Sequence, residues 1–202
     1  MKKLSLLLIA FILSSFTLPA RAQQDNDRKF LLDYFNKTGD DLLASVEGLS
    51  PAQMHFKPAD DRWSVAECLE HIIVIDKALF DMAAGLIEQP ANPERKSEVT
   101  NTDEKLIAGI TDRSQKAQAP DFGIPKGIYS NTSEALTTFK EQREKIKAYI
   151  QDTPENLRDH ITDMPGGTVD AYQFFLFIAG HGARHTLQIE EVKAHPDFPS
   201  QK

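Results

Sequence analysis

Three histidines occupy positions from which they could bind one metal ion. His181 and His185 are four residues apart in the segment IAGHGARHTLQIEEVK, and an α-helix would place both imidazoles on one face, one turn apart. His71 lies in a second segment with helical periodicity, AECLEHIIVID. If the two helices pack side by side, they form a three-histidine site with an open position for water or substrate. That ligand number is typical of catalytic rather than closed structural zinc sites.

The alternative is that these histidines are ordinary core residues. Pairs at this spacing arise often by chance, and a lone inward-facing histidine usually finds a carbonyl partner. Against this, three imidazoles on one largely apolar wall would have several nitrogens without partners, each costing about 1–3 kcal/mol. A shared metal ion would remove that cost. The residues alone leave both interpretations open.

Candidate general bases are less distinct than the histidines. Glu67 precedes His71 by one helical turn, so its carboxylate could act as a base or orient the imidazole. The capping-box pattern Ser64-Val65-Ala66-Glu67 already explains this residue fully, and Glu67 is therefore kept only as a weak catalytic candidate. Glu70 and Glu190 are expected to be solvated.

Other reactive residues are expected to have structural roles. Cys68 could approach the ion as a thiolate, but a small buried residue needs no such explanation. Arg184 could meet an anionic substrate, although a surface ion pair is the commoner role. Trp63 is expected to pack against the start of its helix. The histidines expected to face solvent are His55, His160 and His195.

The first 22 residues have the pattern of a secretory signal peptide. Lys2 and Lys3 precede an apolar run at 4–16, and Ala20-Arg21-Ala22 matches the small-x-small pattern before a cleavage site. The run is short for a membrane span, and no cysteine near the cleavage site could receive a lipid. We predict a signal peptide at 1–22 and a single domain at 23–202, exported to the periplasm or secreted, without stable membrane insertion.

Composition excludes some classes of function. Cleavage removes three of the 23 basic residues and none of the 30 acidic ones, which leaves a net charge of about −10. Such a surface repels phosphate backbones, so nucleic acid is not an expected partner. The single cysteine, Cys68, excludes internal disulfides, and about 180 residues suffice for one packed core.

The elements that must position the histidines are helical nearly throughout. Four long helices are predicted at 27–47, 64–88, 132–151 and 168–194, with Thr168 capping the last. A long connection from Pro90 to Ser130 contains a short helix near 103–113. Because no segment alternates convincingly at period two, we predict an all-α four-helix bundle, with the three histidines facing its core.

Two segments resemble the signatures of the DinB-like superfamily, a family of helical bundles. These segments are DRWSVAECLEHIIVIDKALF and HGARHTLQIEEVK, in which the His-x3-His pair is followed by Thr-x-Gln-Ile. The third predicted helix, NTSEALTTFKEQREKI, and the order of helices match as well, so the resemblance spans about residues 28–194. The two motifs together are fairly specific, whereas either alone would be weak.

The resemblance implies a four-helix bundle in which His71, His181 and His185 hold one divalent metal ion. Nickel, zinc, iron and manganese all suit three imidazoles plus water. Relatives include thiol-dependent isomerases and S-transferases as well as metal-dependent hydrolases, so family membership predicts the site better than the reaction. Low-molecular-weight thiols are scarce or oxidised outside the cytosol, and export therefore favours a metal-dependent hydrolase.

Several alternatives remain open on the sequence. The bundle could bind a metal ion or small ligand without catalysis, or it could act as a thiol-dependent transferase or isomerase. A purely structural bundle without metal is a further alternative. A small-molecule substrate or ligand is the expected partner, and a homodimer is expected because related bundles often pair across a two-fold axis.

Overall fold

Four long helices make up most of the protein. A computed structural model describes residues 2–115 and 118–200, with side chains from residue 21 onward. The helices are, in chain order, α1 (Lys2–Val46), α2 (Pro51–Met54), α3 (Val65–Ile87), α4 (Asp103–Thr111), α5 (Thr132–Asp152) and α6 (Ala171–Lys193). The predicted all-α bundle is confirmed.

The four long helices pack in a defined order. Both α1 and α3 pack against α5 and α6, so α1 and α3 lie diagonally across the bundle from each other. The short helix α4 packs on the outside of α6. Helix α6 therefore has three helical neighbours, which explains why its apolar segment AYQFFLFI is buried or nearly so on every side.

Local sequence signals determine where the helices begin and end. Ser64 caps α3 in a complete capping box, because its hydroxyl accepts from the Glu67 backbone while the Glu67 carboxylate accepts from the Ser64 backbone. Asn131 caps α5 through the Glu134 amide. Helix α1 ends two residues before Gly48, whose φ of +70° suits glycine better than other residues.

Helix α1 begins much earlier than the predicted residue 27. It runs without interruption from Lys2, through the predicted cleavage point after Ala22. The side chains of the predicted signal peptide up to residue 20 lie outside the described residues, so cleavage stays a prediction. Among the described residues, no helix combines the length and the apolar character that crossing a membrane requires.

A short β-hairpin before α6 was not predicted. Strand β1 (Ile161–Met164) pairs antiparallel with β2 (Gly167–Asp170), and Gly167 adopts a φ of +124° after the turn. Four-residue strands are too short to show a clear period-two pattern. Because β2 includes residue 168, the cap predicted at Thr168 is wrong, and Asp170 caps α6 by accepting from the Gln173 backbone.

The long connection between α3 and α5 is packed against the bundle. It contains the predicted short helix, α4, and two 3₁₀ helices at Pro93–Glu98 and Asp121–Gly123. The second 3₁₀ helix packs against α3. Residues 118–130, the last part of this connection, thereby reach the helix that carries His71.

Candidate metal centre

The structure brings the three predicted histidines together. His71 comes from α3, and His181 and His185 come from successive turns of α6. Their exposed fractions are 3%, 9% and 8%, so all three are buried. One nitrogen from each ring lies within 4.8 Å of the other two. Packing of α3 against α6 therefore produces the cluster that the spacing predicted.

Each imidazole is held through its Nδ1 atom by a different acceptor. The His71 Nδ1 lies 2.6 Å from the Gly123 carbonyl oxygen, which the second 3₁₀ helix places over α3. The His181 Nδ1 lies 3.3 Å from Asp76 Oδ1. Since a carbonyl and a carboxylate can only accept, both Nδ1 atoms carry the proton.

The third imidazole, His185, is held by a neighbour on its own helix. Its Nδ1 lies 2.9 Å from Gln188 Oε1. The same oxygen accepts from Arg113 Nη1 at 3.3 Å, which identifies it as the oxygen rather than the nitrogen of the amide. His185 Nδ1 is therefore the donor as well, so in the neutral form of each ring the lone pair is on Nε2.

In these tautomers the Nε2 atoms have lone pairs and no hydrogen to share, so a cation between them would be the fitting partner. The Nε2 atoms of His71 and His181 are 3.2 Å apart, although neither carries a proton to donate. Two nitrogens bound to one tetrahedral ion at 2.0–2.1 Å would be about 3.4 Å apart. The donor set and its spacing fit a divalent metal ion held by three imidazoles.

The electrostatics of the site favour neutral imidazoles. Burial lowers the pKa of His71 to about 4, against the opposing effect of the Gly123 carbonyl. Burial also lowers the pKa of His185 to about 2, with a further decrease from the two neighbouring histidines. Near neutral pH, His71 and His185 are therefore not protonated to the imidazolium form, and their lone pairs are available for a metal ion.

A buried ion pair lies behind His181 and is not among the features predicted from the sequence. Asp76 Oδ2 lies 2.9 Å from Arg143 Nη2, and the side chains are only 2% and 6% exposed. A carboxylate within the apolar run HIIVIDKALF was a signal for this pair. A second signal was an arginine in α5 at helical spacing from two apolar residues, Phe139 and Ile146.

Glu70 was expected to be solvated, and that expectation is wrong. Its side chain is buried, and its carboxylate accepts from the backbone of Gly127 at 2.9 Å and Ile128 at 3.1 Å, as well as from Lys126. These bonds tie the 118–130 segment to α3. Glu70 thereby helps to hold the loop from which the Gly123 carbonyl reaches His71. Glu190, by contrast, is exposed as predicted.

Trp63 forms part of the wall of the site. Its ring lies just before α3, with its centroid 4.7 Å from that of His71 and 6.0 Å from that of His185. It was expected only to pack at the start of the helix, and it also covers two of the three imidazoles.

The weaker candidates lie at the edge of this arrangement. Glu67 bonds to the Ser64 backbone at 2.7 Å and pairs with Lys57 at 3.0 Å, in agreement with its interpretation as a cap. Its role as a catalytic base stays a prediction. Cys68 is fully buried among apolar residues, and burial raises the pKa of its thiol to about 12. That environment suits a neutral core residue.

Arg184 and the remaining histidines differ partly from expectation. Arg184 donates to the carbonyls of Ile110, Asp112 and Gln115 instead of forming a surface ion pair, and so fixes the end of α4 to α6. His55 is exposed, as predicted, and His195 is half-buried. The prediction for His160 is wrong, since this residue leads into β1 and is only 2% exposed.

Comparisons with known proteins agree with this architecture. YuaE of Bacillus subtilis strain 168, described as uncharacterized, is 24% identical over 163 residues, which cover 80% of this chain and 96% of YuaE. The solved structure of YfiT from Bacillus subtilis is described as a probable metal-dependent hydrolase with an unusual four-helix bundle topology. It matches with a TM-score of 0.57 at 13% identity, over 85% of this chain and 89% of YfiT. At that identity the likeness shows the fold alone.

A family model assigns the chain more directly. The model described as the DinB superfamily matches residues 34–189, which include all three histidines, the whole of α3 and α5, most of α6 and the last part of α1. The two motifs of the sequence predicted this family. The chain belongs to the DinB superfamily.

Proposed function

We propose that this protein is an exported, metal-dependent hydrolase of a small-molecule substrate, with one divalent ion held by His71, His181 and His185. The observation that carries the proposal is the convergence of one nitrogen from each of three buried imidazoles within 4.8 Å, with the Nδ1 atom of every ring next to an acceptor. The description of YfiT as a probable metal-dependent hydrolase supports the same reaction class. Nickel, zinc, iron and manganese all suit this ligand set.

The residues of the chain prepare the site for hydrolysis. A bound ion would supply a Lewis acid for the scissile carbonyl and a water of lowered pKa. The Nδ1 partners hold the three rings in orientation, and the burial of the rings limits access of bulk water. Glu67 remains the candidate for accepting a proton, since it lies one turn before His71, but its carboxylate must first leave the cap.

The first experiment measures metal content. The protein is purified without chelator and without an affinity histidine tag, beside the double variant His181→Ala/His185→Ala. We expect about one ion per chain in the wild type and none in the double variant. The matched control is His55→Ala/His195→Ala, which removes two histidines outside the site and is expected to keep the ion. Absence of metal, together with no uptake of added nickel, zinc, manganese or iron, would contradict the proposal.

The second experiment tests the reaction. Ester and amide substrates are screened for hydrolysis, and thiols are screened for transfer, with the metal-loaded protein, the chelated protein and the His181→Ala/His185→Ala variant. We expect hydrolysis by the loaded protein only. Turnover that requires an added low-molecular-weight thiol would instead indicate transferase or isomerase chemistry. Stoichiometric metal without any turnover would indicate a binding protein.

Export is tested separately. The full chain is expressed in a bacterium with its own first 22 residues, and the cell fractions are examined by mass spectrometry. We expect a chain that begins at Gln23 in the periplasm or the medium. A full-length chain confined to the cytosol would contradict export but not the metal site.

A further inference from the structure

We propose that Asp76 is a positioning residue of the metal centre, with Arg143 holding its carboxylate against His181. This inference rests on the proposed function, because it concerns how the ligand set is prepared for an ion. Asp76 is 1% exposed, and its two oxygens have different neighbours. Oδ1 lies 3.3 Å from His181 Nδ1, and Oδ2 lies 2.9 Å from Arg143 Nη2.

The surroundings of Arg143 indicate more than structural support. Its guanidinium is buried, lies 5.1 Å from the ring centroids of both Phe35 and Phe139, and has one hydrogen bond, from Nη1 to Thr38 Oγ1 at 3.4 Å. Its Nε atom has no hydrogen-bond partner among the described residues, and its Nη2 atom, although within ion-pair distance of Asp76 Oδ2, is not aligned for a hydrogen bond with it. A buried ion pair with so few partners adds little stability compared with apolar residues of similar volume. Stability alone therefore does not account for the pair.

A role in orienting the ligand accounts for it better. An ionised carboxylate only accepts hydrogen bonds, so Asp76 selects the His181 tautomer with the proton on Nδ1 and the lone pair on Nε2. The hydrogen bond to an anion also makes the imidazole a stronger donor to a metal. The positive charge of Arg143 lies beside the negative charge of Asp76 and balances it. The result is a carboxylate–histidine–metal arrangement with a buried counter-ion.

The tautomer of His181 is the first readout. In the metal-free protein at pH 8, ¹⁵N chemical shifts of the imidazoles distinguish protonated from unprotonated nitrogens. We expect wild-type His181 to carry its proton on Nδ1, and the Asp76→Asn variant to lose that preference or divide between tautomers. The matched control is Asp81→Asn, which removes a carboxylate that is 53% exposed on the same helix.

Metal affinity is the second readout. Zinc affinity, measured by competition with a chromophoric chelator, is expected to fall 10- to 100-fold in Asp76→Asn and to stay unchanged in Asp81→Asn. Because Asp76→Asn leaves Arg143 buried without a counter-ion, that variant can fail to fold. The double variant Asp76→Asn/Arg143→Met removes both charges, and we expect it to fold and to show the same loss of affinity.

The outcomes separate this inference from the proposed function. A wild type that binds zinc and hydrolyses substrate, together with folded Asp76 variants of unchanged affinity and unchanged His181 tautomer, overturns only the role of Asp76. A wild type that binds no metal overturns the proposed function. In that case the inference about the metal centre falls with it, whatever tautomer the metal-free spectra show.

Discussion

At the scale of single residues, the three candidate ligands differ in the charge of the group next to each Nδ1 atom. His71 faces a neutral carbonyl, His185 a neutral amide and His181 a carboxylate. A hydrogen bond to an anion raises the basicity of an imidazole most, so His181 is expected to be the strongest of the three donors. The ligands are thus chemically unequal although all three are histidines.

The thiol of Cys68 is expected to be unreactive in the folded protein. Burial raises its pKa to about 12, and its side chain is fully buried, so neither thiolate nor access is available at pH 8. Ellman's reagent should label no thiol in the native protein and one per chain in guanidinium. The Cys68→Ala variant should keep the wild-type metal content. Rapid native labelling, or loss of metal on substitution, would show that Cys68 belongs to the site.

The metal-free protein is expected to lose stability as the pH falls from about 6.5 toward 4. Burial lowers the pKa of His71 from 6.5 to about 4 and that of His185 to about 2, so in this range the unfolded chain binds protons that the folded chain does not. Each histidine then contributes a slope of up to about 1.4 kcal/mol per pH unit, and none above pH 6.5. Urea unfolding of the chelated protein at several pH values measures the slope.

Aspartate and glutamate side chains also affect unfolding at low pH, and a variant separates their contribution from that of the buried histidines. His185→Gln should show a shallower loss of unfolding free energy between pH 6.5 and 4 than the wild type. The exposed control, His55→Gln, should follow the wild-type curve. Parallel curves for all three proteins would contradict the assignment of neutral imidazoles.

At the scale of elements, the site depends on a side chain of α5, Arg143, that reaches across the bundle to α6. A Cβ atom on Gly182 would overlap Nη2 of Arg143, so this position of α6 has no room for a side chain while the guanidinium contacts Asp76. Gly85 on α3 has nothing within 4 Å of such an atom. Packing therefore requires the absence of a side chain at Gly182 but not at Gly85.

Alanine substitutions at these glycines are expected to have opposite effects. Gly182→Ala displaces Arg143 and should lower the free energy of unfolding by about 1–3 kcal/mol. Gly85→Ala meets no neighbour and should raise it by about 0.5–1 kcal/mol, because alanine favours a helix. Urea unfolding measures both. An increase in stability for Gly182→Ala would show that Arg143 can move aside to make room for the added methyl group.

The loop that carries Gly123 is expected to loosen when Glu70 is changed. Glu70→Gln removes the negative charge that accepts from the backbone of residues 126–128 and should cost about 1–3 kcal/mol. Hydrogen exchange followed by mass spectrometry should show faster exchange in 118–130. The control is Glu190→Gln on exposed α6 surface, where exchange of that segment should not change.

At the scale of the whole molecule, the described contacts that hold α1 in the bundle begin after the predicted cleavage point. Arg28 Nη1 donates to the carbonyls of Ile150, Gln151 and Thr153 at 2.5 to 2.9 Å, which are the free carbonyls at the end of α5. Leu31 is the first fully buried apolar residue of α1 among those whose side chains the structure describes. A chain that begins at Gln23 keeps both.

Residues 23–202 are therefore expected to be as stable as the full chain, within about 0.5 kcal/mol. Within this shorter chain, Arg28→Ala should lower the free energy of unfolding by about 1–3 kcal/mol, because three carbonyls lose their hydrogen-bond donor. The control Lys29→Ala removes only an exposed ion pair and should cost less than about 0.5 kcal/mol. A large loss on removing residues 1–22 would show that they belong to the folded domain.

The sequence predicted the bundle and the three histidines because both depend on helical periodicity. Helix starts at Ser64 and Asn131 followed from local capping chemistry. The hairpin did not, because its strands are short and its pairing depends on the chain around it. Asp76 and Gly123 were missed for a related reason, since their contacts with the site arise from packing of α3, α6 and the loop. No spacing in the chain encodes which carbonyl reaches His71.

The distance along the chain between His71 and His181 has a further consequence. The two residues are 110 positions apart, yet their Nε2 atoms lie 3.2 Å from each other. With one cysteine, the chain cannot form an internal disulfide. A metal ion bound by both histidines would instead link these two distant positions of the chain, as a disulfide does in other proteins. A covalent link that closes a loop of about 100 residues can stabilise a protein by about 4–5 kcal/mol. Resistance of this protein to proteolysis is then expected to increase when metal is supplied and to decrease when metal is removed.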